Sequence, residues 1–509
     1  MRNHGIGSWP ARRARTGPDK AAIIHEGTTY TAADVLARST RLANALRGLG
    51  VGRGDRVAYL GPNHPSCVEA LFASGMLGAV LLPLNTRLAA PEHEYVLRDA
   101  EPVALIWSPE CARGIEPIGA EVLPEAQIVL GPATAVAQAY EPLLTGASAA
   151  PVDEPVELDD LCMIQYTSGT SGHPKGVMLS HGNVAWNCIN LLIDVDVRTA
   201  ERNLVVAPLF HTAGMNNSFL PPFLKGAAAY LMQGWSPEKA LELIESKRIS
   251  FMVGVPTIFQ AMAQSPRWKD TDLSSLRTLL CGSAPLPLSL IETYAARGLY
   301  FQQGYGLTET SPNATFLRAD AIGKEGSAGT PCFFTDLRVV SPDGVDTAAG
   351  ERGEVLAQGP NVTRGYWKRP EATAASFVDG DWLRTGDVAV RDADGFVFIV
   401  DRVKDVIISG GENIYPAEVE NALYGHPAIR ECAVIGVPDA RWGEVGRAMV
   451  VFKEGREASA AALGDFLAER IARYKIPKSF VAVDALPRTA SGKLLKRVLR
   501  ETSAGTLLE

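Results

Sequence analysis

The sequence predicts an α/β fold: a large N-terminal domain of parallel sheets with helices plus a β subdomain, and a small α+β C-terminal domain. Three observations carry this prediction. Apolar runs of strand length alternate with helix-periodic segments through the N-terminal part, and strands separated by helices form parallel sheets covered on both faces. After about residue 326 the texture changes to short strands broken by Gly, Asp and Pro, which marks a mainly antiparallel β subdomain over about 327–401. Then Asp401-Arg402-Val403-Lys404-Asp405 forms a charged link between two apolar runs, dividing the chain into domains 1–401 and 402–509.

Taken in order, helix-spaced apolar positions cover 31–46, and the Thr31 hydroxyl suits an N-cap. Residues 55–60 read as a buried strand, 68–77 as a second helix, and 79–84 as the next apolar run. Further strands are predicted at 103–107, 128–130, 204–207, 251–255 and 276–280, with Cys281 just beyond the last. Residues 137–150 read as a surface loop. In the β subdomain, strands are predicted at 336–340, 353–357 and 395–400. No internal repeat or low-complexity segment stands out.

Bulk composition narrows the class. With 509 residues the length suggests about three structural units, and 46% hydrophobic and 21% charged residues suffice for several cores. A net charge of −8 argues against a nucleic-acid partner, which would demand a basic footprint. No run approaches the length of a membrane-spanning helix, so no integral membrane association is expected. Arg2, Arg12, Arg13 and Arg15 are followed by no apolar signal core, and Trp9-Pro10 and Asp19 fit a transit peptide poorly. The seven cysteines lie at 67, 111, 162, 188, 281, 332 and 432, without a CxxC pair. That spacing suits reduced, mostly buried thiols in a cytoplasmic protein and supports no zinc site.

The most telling run is Tyr166-Thr167-Ser168-Gly169-Thr170-Ser171-Gly172-His173-Pro174-Lys175-Gly176, set between two apolar strands. Its glycines permit close backbone approach, so that N–H groups converge on an anion, and its hydroxyls and Lys175 add donors and a positive charge. This is a grip for polyphosphate, though not a P-loop: Gly-Val follows the lysine, and a helix is predicted only from about Ser180 to Asn183. Gly282-Ser283-Ala284-Pro285 follows a strand, where backbone and small side chains line a flat ligand. Gln303-Gly304-Tyr305-Gly306-Leu307-Thr308-Glu309 brings an aromatic face, a hydroxyl and a carboxylate into one turn. Thr385-Gly386-Asp387 precedes the last strands of the β subdomain, and Ser491-Gly492-Lys493 sets one lysine on a glycine turn. Singly, each has a structural explanation: a core tyrosine, a capping carboxylate, a turn aspartate, or a solvated helix face shared by Lys493 with Lys496, Arg497 and Arg500.

Together, and joined by Pro208-Leu209-Phe210-His211 and by the segment from Gly410 to Glu420, these motifs make the chain resemble the adenylate-forming acyl-CoA synthetase superfamily. The resemblance covers nearly the whole sequence and is nearest in texture to bacterial feruloyl-CoA synthetases and fatty-acyl-CoA synthetases. It implies an ATP-dependent carboxylate–CoA ligase working through an acyl-AMP, with ATP, Mg²⁺ and coenzyme A. It further implies that Lys175 and residues 168–172 hold phosphates, that Glu309 and Thr167 serve the metal, and that Thr308 serves phosphate and metal. Gly282 to Pro285, Gln303, Gly304, Tyr305 and Gly306 would hold adenine, and Asp387 and Arg402 the ribose. Lys493 would orient the attacking carboxylate. The C-terminal domain would be mobile about a hinge at Lys404, bringing Gly410, Gly411 and Glu412 to line the pantetheine path, and Trp442 would meet the CoA nucleotide.

The same resemblance places the acyl pocket at His211, Met215, Phe219, Gly282, Gly306, Pro312 and Asn313. Residues 203–235 contain no Asp or Glu and only Lys225 as a formal charge. A buried ammonium without a carboxylate is very costly, so an amino-acid substrate is disfavoured. Asn216, Asn217 and Asn313 suit a ring hydroxyl or merely form turns. The expected substrate is a small carboxylic acid of the hydroxycinnamate type; a medium- or long-chain fatty acid is the alternative. A carrier-protein-loading enzyme is the next reading, and a non-catalytic nucleotide sensor is opposed by the retained Lys175, Glu309, Asp387 and Lys493. A monomer or homodimer is expected.

Overall fold

The structure is a computed structural model that describes residues 2–167, 174–284, 286–321, 323–402, 405–409, 412–439, 441–471, 473–488, 494–501 and 505–508. Among these residues four sheets are present, three in a large N-terminal part and one in a smaller C-terminal part. The first runs Thr330–Pro331, Asn313–Leu317, Phe301–Gly306, Thr278–Gly282, Phe251–Gly254, Arg202–Val205, Ala228–Leu231, Ala21–His25, Thr28–Thr31. Its central strands are parallel, and antiparallel pairs close both edges. The second runs Gln138–Ala139, Ala126–Val129, Ala104–Trp107, Arg56–Leu60, Val80–Pro83, Leu161–Thr167, Lys175–Ser180. It is parallel except for the final hairpin.

Strands of both sheets are covered by helices, which explains their continuous apolar runs. The strand Arg56–Leu60 buries four residues in succession, and the helix Pro65–Leu77 beside it is buried throughout. The helix Ala32–Gly48 starts where the sequence indicates: Thr31 accepts from the Asp34 N–H while the Asp34 carboxylate accepts from the Thr31 N–H. Ser180 caps the helix His181–Asp194 in the same reciprocal way with Asn183.

The third sheet is antiparallel, with Asp336–Val340, Arg352–Gln358, Trp382–Arg391 and Phe377–Val378 in order and Val397–Arg402 paired to Trp382–Arg391. The next described strand, Ile407–Ser409, belongs to the C-terminal sheet, whose longest pair is Ile429–Asp439 with Gly443–Phe452. Polar contacts cross between these parts among the described residues. Arg352 lies 4.0 Å from the ring centroid of Tyr415 and pairs with Glu418, and Asp401 accepts from the Ala417 N–H at 3.0 Å.

Two local expectations are corrected. Residues 137–150 are not a loop: they hold the strand Gln138–Ala139 and the helix Tyr140–Gly146. The helix spans only seven residues, too few to show a period, and it is fixed by Tyr140, buried and donating to Glu69. Cys281 lies inside the strand Thr278–Gly282 rather than beyond it, because pairing with Phe301–Gly306 extends through Gly282. All seven cysteines are free thiols, and all but Cys111 are buried. Among the described residues no helix is long and apolar enough to cross a membrane.

Candidate active site

Among the described residues, Thr167, Gly282 and Gly306 stand at the carboxyl ends of strands of the two helix-covered sheets, where open α/β sheets leave their crevices. Thr167 ends one strand of the second sheet and Lys175 begins the next, and the two are paired in register at the mouth of the hairpin. The hairpin tip, with Ser168, Gly169, Thr170, Ser171 and Gly172, lies outside the described residues. Pro174 on its return side accepts from the Tyr95 hydroxyl at 3.2 Å.

Lys175 and Glu309 are distant in sequence and meet through one residue that the sequence reading did not single out. The Lys175 Nζ lies 5.1 Å from the ring centroid of Tyr366, and the Tyr366 hydroxyl donates to Glu309 Oε1 at 2.9 Å. Burial and the Glu309 carboxylate both push the Tyr366 hydroxyl well above the usual phenol range, so it stays protonated and donates. The backbone makes this meeting obligatory. Met178 N–H donates to the Gly365 carbonyl, Trp367 N–H to Gly176, and Thr363 N–H to Glu309 at 2.7 Å. Segment 363–367 thus stitches the Lys175 strand to the turn Thr308–Thr310. The only sequence signal for Tyr366 is an aromatic pair after a glycine in a polar stretch, which carries no hint of its partners.

Glu309 and Thr308 share that short turn, next to Gly306. A Cβ on Gly306 would stand 1.7 Å from the Pro312 carbonyl oxygen, so no side chain fits there. A Cβ on Gly282 would stand 2.8 Å from the Gly304 carbonyl. Gln303 and Gly304 lie on the same strand as Tyr305, paired with Cys281 and Gly282. Ser283 and Ala284 are exposed at the strand end, and Ser283 takes the left-handed φ of +69°, uncommon for a residue with a Cβ. Pro285 lies outside the described residues.

Tyr305 reaches across to the third sheet, donating its hydroxyl to Asp387 Oδ2 at 2.7 Å. Asp387 is buried, its N–H held by Thr385 Oγ1 at 3.1 Å, and it pairs in register with Arg402. A buried carboxylate with an aromatic neighbour is a ready acceptor for two vicinal hydroxyls. Hard cations take oxygen donors, and magnesium commonly rests on one or two carboxylates plus ligand phosphates. Glu309 supplies one such carboxylate, and Thr167 stands opposite Lys175 at the hairpin mouth. Among the described residues no group of three or more His, Cys, Asp or Glu side chains converges on a metal-sized space.

On the other side of the strand ends, His211 leads into a π-helical turn, Ala213–Phe219. Burial, aided by Arg87, pushes the imidazole down to about 4, so it is neutral near pH 7, and its buried Nε2 has no partner among the described residues. A Cβ on Gly214 would sit 2.0 Å from the Pro208 carbonyl, which explains the glycine at this tight turn. Met215 is buried beside it, and Pro312 is partly buried. Phe219 packs away in the core, its ring 5.5 Å from Phe223, which itself lies against Phe72. Asn217 and Asn313 do not await a ring hydroxyl: each amide bonds the other, at 2.9 and 2.7 Å, and Asn313 also bonds Asn187. Asn216 donates to the Ser311 carbonyl at 3.2 Å.

In the C-terminal part Lys404, Gly410, Gly411 and Lys493 lie outside the described residues, as do the side chains of Arg402 and Glu412. Trp442 is 41% exposed, under the Arg441 guanidinium at 4.7 Å, and so is not packed between domains. The basic run after residue 493 is not a plain solvated face. Lys496 is paired with Glu420 at 2.8 Å and Arg500 with Asp405 at 2.7 Å, while the exposed Arg497 pairs with Glu501 at 3.3 Å.

Comparison with known proteins follows the same outline. The AMP-binding enzyme family matches residues 10–367, and the AMP-binding enzyme C-terminal domain matches 418–493. A feruloyl-CoA synthase of Amycolatopsis sp is 51% identical over 501 residues, covering 98% of this chain and 99% of that protein. The long-chain-fatty-acid–CoA ligase FadD13 of Mycobacterium tuberculosis (strain CDC 1551 / Oshkosh) is 39% identical over 516 residues, covering all of both. The crystal structure of the anthranilate CoA ligase AuaEII with anthranoyl-AMP superposes with a TM-score of 0.92 at 30% identity, covering 98% of this chain and 97% of that one.

Proposed function

This chain belongs to the AMP-binding enzyme family, and we propose that it is an ATP-dependent carboxylate–CoA ligase acting on an aromatic acid of the hydroxycinnamate type. The observation that carries the reading is full-length likeness to a feruloyl-CoA synthase. The site chemistry supports it.

In the first half-reaction a carboxylate attacks the α-phosphorus of ATP, so two anions must meet and charge builds on the leaving pyrophosphate. Lys175 offsets that charge directly, and Glu309 and Thr167, with Thr308, would hold a Mg²⁺ that would supply further neutralisation of the phosphate charge. The Tyr366 hydroxyl fixes Glu309 and its ring braces Lys175. Asp387, steadied by Tyr305, takes the ribose hydroxyls, and Gly282 to Pro285 with Gln303, Gly304, Tyr305 and Gly306 hold adenine. Lys493 orients the carboxylate. Held reactants gain effective molarity worth several kcal/mol.

For the acid, the neutral His211 and the absence of acidic side chains over 203–235 support an uncharged acyl group rather than an amino acid. In the second half-reaction the CoA thiol displaces AMP. The segment 402–509 is proposed to turn about Lys404 for that step, with Gly410, Gly411 and Glu412 along the pantetheine and the exposed Trp442 on the nucleotide.

The test is AMP release dependent on both CoA and acid, compared across ferulate, benzoate, octanoate and palmitate. Ferulate is expected to give the highest kcat/KM. Preference for octanoate or palmitate would move the assignment to a fatty-acyl ligase. Acid-dependent pyrophosphate release without CoA consumption would favour a carrier-loading enzyme.

A further inference from the structure

The helix His181–Asp194 follows directly on the Lys175 strand and presents Asn183, Asn187 and Asn190, spaced as neighbours on one helix face. All three are buried, where an amide lacking partners is costly. Each ties the helix to a different segment. Asn183 Nδ2 donates to the carbonyls of Pro360 and Val362, both at 2.8 Å. Asn190 Nδ2 donates to Thr335 Oγ1 at 3.1 Å, and its Oδ1 accepts from the Phe334 N–H at 2.9 Å.

Asn187, between them, works on two sides at once. Its Oδ1 accepts from the Asn313 N–H at 3.1 Å and from Asn313 Nδ2 at 2.8 Å. Its Nδ2 donates to the Asn216 carbonyl at 3.1 Å and to Asn217 Oδ1 at 3.2 Å. One side therefore holds the π-helical turn after His211. The other holds Asn313, whose carbonyl accepts from the Asn361 Nδ2 that also bonds the Thr310 carbonyl, next to Glu309.

We infer that Asn187 is a positioning residue that keeps the acyl-pocket turn in register with the turn carrying Glu309, so that discrimination between acids depends on a side chain touching no reactant. This rests on the ligase reading above. The physical reason is rigidity. A planar aromatic acid fits only between walls held in place, whereas an alkyl chain follows a wall that has moved. Without Asn187 the Asn313 N–H loses this acceptor, the Asn216 carbonyl is left with the long contact from the Cys188 thiol, and the Asn217–Asn313 pair is free to shift the π-helical turn.

The experiment compares full-length wild type, Asn187→Ala, Asn187→Ser and Asn190→Ala by CoA-dependent AMP release with ferulate and with octanoate, alongside thermal melting. Both Asn187 variants are expected to lose about tenfold to a hundredfold in kcat/KM for ferulate, as small misplacements of reacting groups do. The ferulate-to-octanoate ratio is expected to fall by about tenfold, with KM for ATP changed by less than about threefold. Asn190→Ala, which cuts bonds on the same face to Thr335 and Phe334, is expected to lower the melting temperature comparably and leave the ratio unchanged. If neither Asn187 variant folds, Asn217→Ser opens the same ring from the other side and is read the same way. An unchanged ratio in the Asn187 variants, or an equal shift in Asn190→Ala, overturns the positioning role while leaving the ligase reading intact. Wild type that releases AMP with neither acid overturns both.

Discussion

Tyr366→Phe isolates a single atom of the candidate site. The substitution removes the hydroxyl that donates to Glu309 Oε1 at 2.9 Å and leaves the ring against Lys175. A hydrogen bond to a charged acceptor contributes about 1.5–3 kcal/mol, or about tenfold to somewhat above a hundredfold in rate at tenfold per 1.4 kcal/mol. Because Glu309 is assigned to the metal, the loss should appear in adenylation and in its dependence on Mg²⁺. The assay is acid-dependent ATP–pyrophosphate exchange, run over a range of Mg²⁺ concentrations. Tyr366→Leu removes the ring as well, and a partly exposed cation–π contact adds only about 0.5–1 kcal/mol. The step from Phe to Leu should therefore be several-fold, smaller than the step from Tyr to Phe. Exchange within about twofold of wild type for Tyr366→Phe, well below the bond's tenfold minimum, would refute the argument. So would a drop shared equally by a substitution that merely lowers the melting temperature.

Four further outcomes are expected. Arg38→Ala leaves the buried Glu69 carboxylate, now held by Arg38 Nε at 2.5 Å, without its cation. Urea unfolding should show a loss of about 3–5 kcal/mol, much of it recovered in Arg38→Met/Glu69→Leu/Tyr140→Phe, which also removes the hydroxyl that Glu69 accepts from. Gly306→Ala forces a methyl to within 1.7 Å of the Pro312 oxygen, so ligase activity should collapse together with a lowered melting temperature. His181 is fully buried, with its Nδ1 accepting from the Ile6 N–H, and burial holds its folded value at about 4 against 6.5 unfolded. The unfolded chain binds this proton first, so stability is full above pH 6.5. Roughly 3 kcal/mol is lost as the pH falls to 4, a limb that urea titrations of His181→Gln should lack. Glu309→Gln should lower adenylation at saturating Mg²⁺ while improving ATP binding measured in EDTA, since the bare carboxylate repels phosphate.

What the sequence made legible was local. Thr31 and Ser180 cap helices because a hydroxyl followed by Asp34 or Asn183 needs only its own turn to be satisfied. The strands were readable because burial on both faces makes them apolar throughout. The hydroxyl- and glycine-rich run before Lys175 and the Thr308–Glu309 turn could be singled out because their polar residues sit within a few consecutive positions. Tyr366 was not, since its meaning comes from Lys175 and Glu309, which no spacing relates to it. Asn187 escaped for the same reason: a polar residue on a helix normally marks the solvent face, and here that face is buried against other segments. The helix Tyr140–Gly146 failed on length, and its one informative contact, to Glu69, is tertiary.

These long-range residues answer a problem posed by the architecture. Lys175 belongs to the second sheet, Glu309 follows a strand of the first, and Asp387 belongs to the third. Three sheets with separate hydrogen-bond ladders have no intrinsic reason to stay aligned to the tenths of an ångström that phosphoryl chemistry requires. Apolar packing is non-directional and tolerates sliding, whereas a hydrogen bond weakens steeply once distance or angle departs from its optimum. Alignment is therefore best carried by polar contacts between sheets. Tyr305 to Asp387 ties the first sheet to the third, segment 363–367 ties the Lys175 strand to the Glu309 turn, and the asparagine face of His181–Asp194 ties that helix to Asn313 of the first sheet and to the connection at 360–362. Burial makes each of these contacts costly to leave unmade, and that cost keeps a site assembled from three sheets in a single geometry.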